Sequence, residues 1–386
     1  MVERFWTGFV LFHGVLLIVT AVVARRWARR LAPGGAPLEW FLAVVGDSGL
    51  WGATAVTVAL VAALLGEDGF IAVRLMSQAV FGELVALTAW IAALFWRRGL
   101  RPWAAVVALA CTTLVAAYAE AYHREPTDLQ VRRYAVDVTH GGPVRGRIRI
   151  AQLSDIQAER IGPYEERALR TAADLKADLV VLTGDYVQPR FDYAQPRLDA
   201  TRKRTTADLN RLLREIRFDA TLGVFAVRGD VDLDWPQVFD GTPVTTLTGE
   251  IASRPLPGGG TLSLVGVTPR MSHGRDRGGL LALVRQAPSD SVRIVIGHGP
   301  DFVQDLAGTV PIELALAGHT HGGQVVLPWL GAPITKMRLP RRYVSGLHDY
   351  AGVPIHVSAG VGMERGAAPQ LRFLCPPEIS LIEVTY

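Results

Sequence analysis

Long uncharged apolar runs fill the chain up to about residue 122, and short ones broken by Gly, Pro and Asp fill the rest. Four of the long runs predict membrane spans: Phe5–Ala24, Leu50–Leu65, Ala79–Trp96 and Trp103–Ala119. A helix of about 20 apolar residues crosses the ~30 Å hydrocarbon layer. None of the runs shows an amphipathic stripe, which counts against buried core helices. Trp6, Trp40, Trp51, Trp96 and Trp103 stand at or near the ends, where interfacial aromatics sit. The first run leaves through Arg25-Arg26-Trp27-Ala28-Arg29-Arg30 and not through a small-residue cleavage site. It therefore reads as a retained helix, not a signal peptide.

From Val131 the period changes. Val131–Val138 and Arg147–Leu153 are β-type runs joined by Thr139-His140-Gly141-Gly142-Pro143, which predicts a hairpin. Glu165–Lys176 gathers Ala168, Leu169, Ala172 and Leu175 on one helical face. Arg204–Ile216 and Gly278–Gln286 read as two more helices. Leu179–Leu182, Val224–Val227, Leu262–Val267, Arg293–Ile296 and Ile312–Ala317 read as strands, with further short strands beyond Gly323. Pro255–Gly260 is a surface turn. Strand–helix alternation followed by a strand-rich tail predicts sheets packed between helices. The expected division is a transmembrane anchor of about four helices at 1–122 and an α/β domain at 123–386.

Composition agrees with that division. The chain has 386 residues, 49% of them hydrophobic, and a mean hydropathy of +0.24. The excess lies in the N-terminal third, as spans require. The net charge is +4, and the arginines cluster beside the apolar runs. That distribution fits membrane topology, and nucleic acid is not expected as a partner. Arg25, Arg26, Arg29 and Arg30 follow the first run, and Arg97, Arg98 and Arg101 follow the third. Only Arg74 lies between the second and third, beside Glu67 and Asp68. Positive loops stay in the cytoplasm. The expectation is a multi-pass cell-membrane protein, partnered by the lipid bilayer, with everything after about Tyr122 extracytoplasmic. The two cysteines, Cys111 and Cys375, exclude a thiolate zinc site and leave no disulfide framework.

The candidate chemistry sits at the strand ends. The β runs are followed in turn by Ser154-Asp155-Ile156-Gln157, Thr183-Gly184-Asp185 and Arg228-Gly229-Asp230-Val231-Asp232. Gly297-His298-Gly299 and Gly318-His319-Thr320-His321 come next. Sites in α/β sheets form beyond strand C-termini, and glycine there lets backbones approach closely. Acids and imidazoles delivered to one point are able to hold two divalent cations that share a carboxylate.

In this order the motifs, ending in His319-Thr320-His321-Gly322-Gly323-Gln324, resemble the calcineurin-like metallophosphoesterase family, in its membrane-associated bacterial branch. Lys336, Tyr343–Leu347, Val357-Ser358 and Arg372–Ile379 resemble that branch's ending. The likeness runs from about Tyr134 onward and leaves the spans outside it. It implies an αββα sandwich, two packed β-sheets flanked by helices. It also implies two divalent ions of Mn, Mg, Fe or Zn. Asp155, Asp185 and His321 would hold the first, with Gln157 where the family has His. Asp185, His298 and His319 would hold the second, with Asp230 where the family has Asn. Asp185 would bridge. Val231 stands where the family has the His that protonates the leaving group, and Asp232 is the candidate substitute acid.

Each departure has a physical weight. Gln157 offers a neutral carbonyl oxygen, a weaker ligand than imidazole. Asp230 replaces an amide with a carboxylate and binds a dication more strongly. The resulting oxygen-rich set favours Mn²⁺ or Mg²⁺ over Zn²⁺. Val231 cannot donate a proton. The expected activity is in-line hydrolysis of a phosphate ester, diester or pyrophosphate, in a phosphorylated small molecule or lipid, at the extracytoplasmic membrane face. The alternatives are a degenerate member that binds metal or phosphate without turnover, and spans that do the work with the outer domain as sensor. Arg338, Arg341 and Arg342 read as a solvated run, His273 and His348 as bystanders, and Cys375 as a packed residue.

Overall fold

A computed structural model describes residues 79–386 apart from 98, 191–193 and 367, together with 74 and 77. The chain divides into two units, Met1–Glu120 with Ala367–Pro369, and Ala121–Gly366 with Gln370–Tyr386.

In the first unit a π-helical turn, Ala79–Glu83, leads into helix α1 (Leu84–Arg97), and α2 (Arg101–Ala119) follows. Pro102 sits in the first turn of α2, where its missing N–H costs nothing. Phe81 meets Tyr118 edge-on at 5.8 Å. Among the described residues one helix, Arg101–Thr127, is long and apolar enough to cross a membrane. The expected four-helix transmembrane region is therefore not supported. The run expected as Ala79–Trp96 forms an α-helix of only 14 residues after its π turn. The runs at Phe5–Ala24 and Leu50–Leu65 lie outside the described residues.

Among the described residues the second unit holds twelve strands. They are β1 (Gln130–Asp137), β2 (Arg147–Leu153), β3 (Leu179–Leu182), β4 (Gly223–Val227), β5 (Val244–Leu247) and β6 (Glu250–Pro255). Then come β7 (Thr261–Gly266), β8 (Val292–Ile296), β9 (Leu314–Ala317), β10 (Gly346–Tyr350), β11 (Val353–Val357) and β12 (Glu378–Thr385). Five helices connect them: α3 (Pro163–Asp174), α4 (Gln195–Glu215), α5 (Pro269–Ser272), α6 (Arg277–Val284) and α7 (Phe302–Leu306). One sheet has the order β1-β12-β2-β3-β4-β5 and the other β10-β11-β9-β8-β7-β6.

Alternation within each strand sorts its side chains between two cores. On β3, Leu179 and Val181 join a cluster with Leu264, Ile296 and Leu316 of the second sheet. Val180 and Leu182 instead meet Leu169 of α3 and Leu209 of α4. On β8, Ile294 and Ile296 face the first sheet, while Val295 packs with Leu280 of α6 and Phe302 of α7. The layers are helix, sheet, sheet, helix, and the central strands are buried on both faces. That is why they read as unbroken apolar runs.

The expected hairpin does not form. β12 lies between its two strands, parallel to β1 and antiparallel to β2. Burial explains the choice. Most of β12 is buried, whereas β1 exposes Arg132 and Arg133 and suits an edge. The turn at Pro255–Gly260 does form, with Leu256 N–H bonded to the Gly260 carbonyl at 3.1 Å.

Phe225 on β4 is fully buried in the inter-sheet core, with the Arg254 guanidinium 5.0 Å from its ring centre. Phe225→Ala should cost about 3–5 kcal/mol, read as a lower urea midpoint for the full chain.

Candidate metal centre

Parallel strands of both sheets end at one place. β2 delivers Asp155 and Gln157, β3 delivers Asp185, and β4 delivers Asp230 and Asp232. From the other sheet β8 delivers His298, and β9 delivers His319 and His321. The backbone turns sharply at these residues. Asp155 (φ 53°), Gln157 (38°), Asp185 (59°), His319 (72°) and His321 (50°) all take left-handed conformations. Such positions cost about 1–3 kcal/mol each and persist only where the surroundings hold them. Two glycines permit the approach. A Cβ at Gly229 would lie 2.0 Å from Asp185 Oδ1, and one at Gly318 would lie 1.8 Å from Ser154 Oγ.

Ligand atoms of Asp185, Asp230, His298 and His319 lie within 4.8 Å of one another. His298 Nε2 is 3.2 Å from Asp185 Oδ2, 3.4 Å from Asp230 Oδ1 and 3.2 Å from His319 Nδ1. The far ring nitrogens settle the tautomers. His298 Nδ1 sits 2.8 Å from the Thr183 carbonyl, and His319 Nε2 sits 3.0 Å from the Lys336 carbonyl. A carbonyl only accepts, so both of those nitrogens carry the proton. His298 Nε2 and His319 Nδ1 are then turned towards each other and towards two carboxylates. That arrangement needs positive charge, supplied by a proton on His298 Nε2 or by a divalent cation that displaces it, and its two nitrogens and two carboxylates suit the cation. Asp230, 43% exposed, marks the side open to solvent.

Beside this group, His319 N–H donates to both oxygens of Asp155, at 3.0 and 3.1 Å. Asp155 Oδ1 is 3.5 Å from His321 Nε2. Both ring nitrogens of His321 are buried without a hydrogen-bond partner, and so is Gln157 Oε1. Gln157 Nε2 donates to Asp185 Oδ2 at 3.2 Å and to Glu364 Oε2 at 3.5 Å, which leaves the amide oxygen free. Unpartnered buried polar atoms are costly, and a second cation would satisfy these. Asp155, Gln157, Asp185 and His321 thus fit a second position, with Asp185 common to both.

The electrostatics follow from burial. It pushes Asp155 up to about 6 and raises Asp185 well above the usual carboxylate range. Burial also pushes on Asp230, but its bonds to His298 outweigh that and hold it below the usual range. Burial alone would lower His298, yet the Asp185 carboxylate prevails and raises it well above an ordinary imidazole. Burial and the neighbouring His298 depress His319 to about 3. Burial and the Arg372 guanidinium push His321 far down, so it remains neutral and able to ligate.

Asp232 is placed differently from the ligands. Its carboxylate accepts the backbone N–H of Asp185 (3.0 Å), Tyr186 (2.8 Å) and Gly229 (2.7 Å). It braces the loops after β3 and β4, a placement that supports a positioning role and not the expected acid. Three further residues have no site role legible in the sequence: His273, which reads as a bystander, Glu364, and Arg372 of the tail. The ring of His273 lies 4.6 Å from that of His319, and its Nε2 is buried and unpartnered. Glu364 also accepts from Gln188 Nε2 at 2.8 Å. Arg372 is fully buried and donates to the carbonyls of Gly362 (3.0 Å), Ala359 (2.8 Å) and Cys375 (2.9 Å), next to the His321 carbonyl at 3.5 Å. None of the three has motif spacing that ties it to the ligands.

The sequence profile of the calcineurin-like phosphoesterase family matches residues 148–323. Phosphodiesterase YaeI of Escherichia coli (strain K12) is 37% identical over 92 residues, 24% of this chain and 32% of that protein. The chain thus matches about a third of that relative's length. The uncharacterized metallophosphoesterase YkoQ of Bacillus subtilis (strain 168) is 24% identical over 265 residues, 65% of this chain and 92% of that protein. A solved phosphoesterase, Yfce of E. coli, aligns over 58% of this chain and 85% of its own, at TM-score 0.29 and 17% identity. The family and the His/Asp cluster together suggest divalent metal ions.

Metal affinity should depend on pH with a defined sign. Asp155 carries a proton below about 6 and is a free carboxylate above it. Mn²⁺ affinity of the full chain, measured by titration calorimetry, should therefore rise between about pH 5 and about pH 7. His321→Ala should lower that affinity by at least about 10-fold at the higher pH.

Proposed function

Because the chain belongs to the calcineurin-like metallophosphoesterase family, we propose that it hydrolyses a phosphate ester, diester or pyrophosphate at a centre of two divalent ions. The observation that carries this reading is the convergence of His298 Nε2 and His319 Nδ1 on Asp185 and Asp230, with the far ring nitrogens of both imidazoles turned to carbonyls. Asp155, Gln157, Asp185 and His321 would hold one ion, and Asp185, Asp230, His298 and His319 the other. When bound, the ions supply Lewis acidity and lower the pKa of a water. Thr183 and Lys336 fix the two imidazole tautomers, and Asp232 fixes the Asp185 backbone. Asp230 keeps one edge of the centre open for substrate.

The leaving group needs separate treatment. Val231 turns its N–H to Asp185 Oδ1 at 3.1 Å and has no side-chain proton to give. The imidazole of His273, beside His319, is the candidate donor, from Nε2; burial and the neighbouring His298 lower its pKa, so it carries the extra proton only on the acid side. General acid help is worth about 10²–10⁴-fold. Aryl diesters and pyrophosphates need it least, and the phosphodiesterase name of one relative favours a diester. The location belongs to the same proposal. The apolar helix Arg101–Thr127 leads into the second unit, and the arginines beside the apolar runs favour an extracytoplasmic place for it. A phosphorylated small molecule or lipid near the bilayer would then be the substrate. Val231 and Gln157 also favour a second reading, a module that binds metal or phosphate without turnover.

The test uses the full chain in detergent with Mn²⁺ and bis(p-nitrophenyl) phosphate. Hydrolysis is expected, with loss in His321→Ala. Val231→His should raise turnover of alkyl esters by up to about 10²-fold. His273→Ala should lower alkyl-ester turnover more than aryl-ester turnover. Bound metal with no hydrolysis selects the second reading, and neither metal nor hydrolysis overturns both.

A further inference from the structure

One surface of the second unit exposes what a fold normally hides. Leu327–Gly331 makes a tight turn, closed by Leu327 N–H to the Gly331 carbonyl (3.0 Å) and Gly331 N–H to the Leu327 carbonyl (2.9 Å). Trp329 at its tip is fully exposed, and Leu330 is 57% exposed. Around the same cleft, of about 500 Å³, Leu374 is 55% exposed.

Single exposed apolar residues are ordinary, but the backbone here is not. Trp329 has φ 64° and Leu374 has φ 53°, left-handed positions that bulky side chains avoid. Each is held in place. Arg341 Nη1 donates to the Leu330 carbonyl at 2.6 Å, and Leu374 N–H donates to Glu125 at 2.9 Å. Two strained positions, far apart in sequence, thus turn large apolar side chains outward around one cleft. Strain kept at such sites points to function.

The surroundings identify the partner. Arg132, Arg341 and Arg342, all exposed, line the same cleft. Indole at headgroup depth, aliphatic groups just below and guanidinium beside phosphate make up an interfacial lipid site. Within the second unit, the segment carrying Leu374 is tied to Ala121 and Glu125. Arg372 N–H bonds the Ala121 carbonyl at 3.0 Å, and Glu125 accepts from Leu374 and Cys375.

We propose that the Leu327–Gly331 turn and Leu374 seat in the interface of an anionic bilayer, with Arg341 and Arg342 against lipid phosphates. The inference rests on the membrane-anchor reading and is independent of hydrolysis.

The full chain is placed in nanodiscs of phosphatidylcholine with and without phosphatidylglycerol, using lipids brominated near the headgroup. The emission of Trp329 is isolated as the difference between wild type and Trp329→Phe, and that of Trp103 in the apolar helix by Trp103→Phe. With phosphatidylglycerol, bromolipid should remove most of the Trp329 emission, and removing the anionic lipid or introducing Arg342→Glu should weaken that loss. If Trp103 is quenched while Trp329 is quenched only by aqueous acrylamide, the anchor stands, the lipid site is overturned, and the surface is left to a protein. If neither is quenched by lipid, anchor and lipid site fall together. Unchanged far-ultraviolet circular dichroism and thermal midpoint of Trp329→Phe and Arg342→Glu separate either result from loss of folding.

Discussion

Carboxylates packed together in a place with little water repel, and the second unit is arranged around keeping three of them there. Burial disfavours the charge on Asp155 and Asp185, so each needs positive charge or hydrogen-bond donors nearby. His298 shows the strength of the local field, since Asp185 draws its proton affinity up against the effect of burial. Neither sheet could build this alone. The first supplies the acids and the second the imidazoles, and the site exists only because the two sheets stack in register. Gln152 helps fix that register. Its Nε2 crosses from β2 to the Ala317 carbonyl of β9 at 2.8 Å, directly behind the ligands.

What holds the strained loops is mostly backbone. Asp232 collects three amides and so fixes where Asp185 leaves β3. Arg372 does the reverse, giving its guanidinium to carbonyls of the loops around His321 and Gly360. A buried cation satisfied by carbonyls keeps its full charge close to His321, which opposes protonation of that ring. One group therefore sets both the shape of the loop and the state of the ligand on it.

The parts of this site that were legible in the sequence are those where strand, glycine and ligand are contiguous. Gly184-Asp185, Gly297-His298 and Gly318–His321 carry their geometry locally, so the pattern alone announces it. His273 does not, because only the packing of α5 brings it to His319. Asp232 was visible as a carboxyl, but its occupation by three amides is a property of the folded loops. The pairing of β1 failed for the same reason. A good turn lies between β1 and β2, yet a more deeply buried strand from far along the chain displaces that local pairing. Hydropathy located the apolar runs, but α1 proved shorter than a span. Trp329 and Leu374 gave no warning, since their left-handed backbone has no sequence signature.

The place of β12 has a consequence for how the molecule comes into being. Among the described residues it is made after every other strand, yet it separates β1 from β2, and β1 pairs with β12 alone. During synthesis β1 and β2 must wait unjoined while the whole second sheet emerges. Pairings that close so large a loop are entropically slow. Until then the nascent unit presents open strand edges, so the step that completes the sheet is also the one that ends its exposure to aggregation.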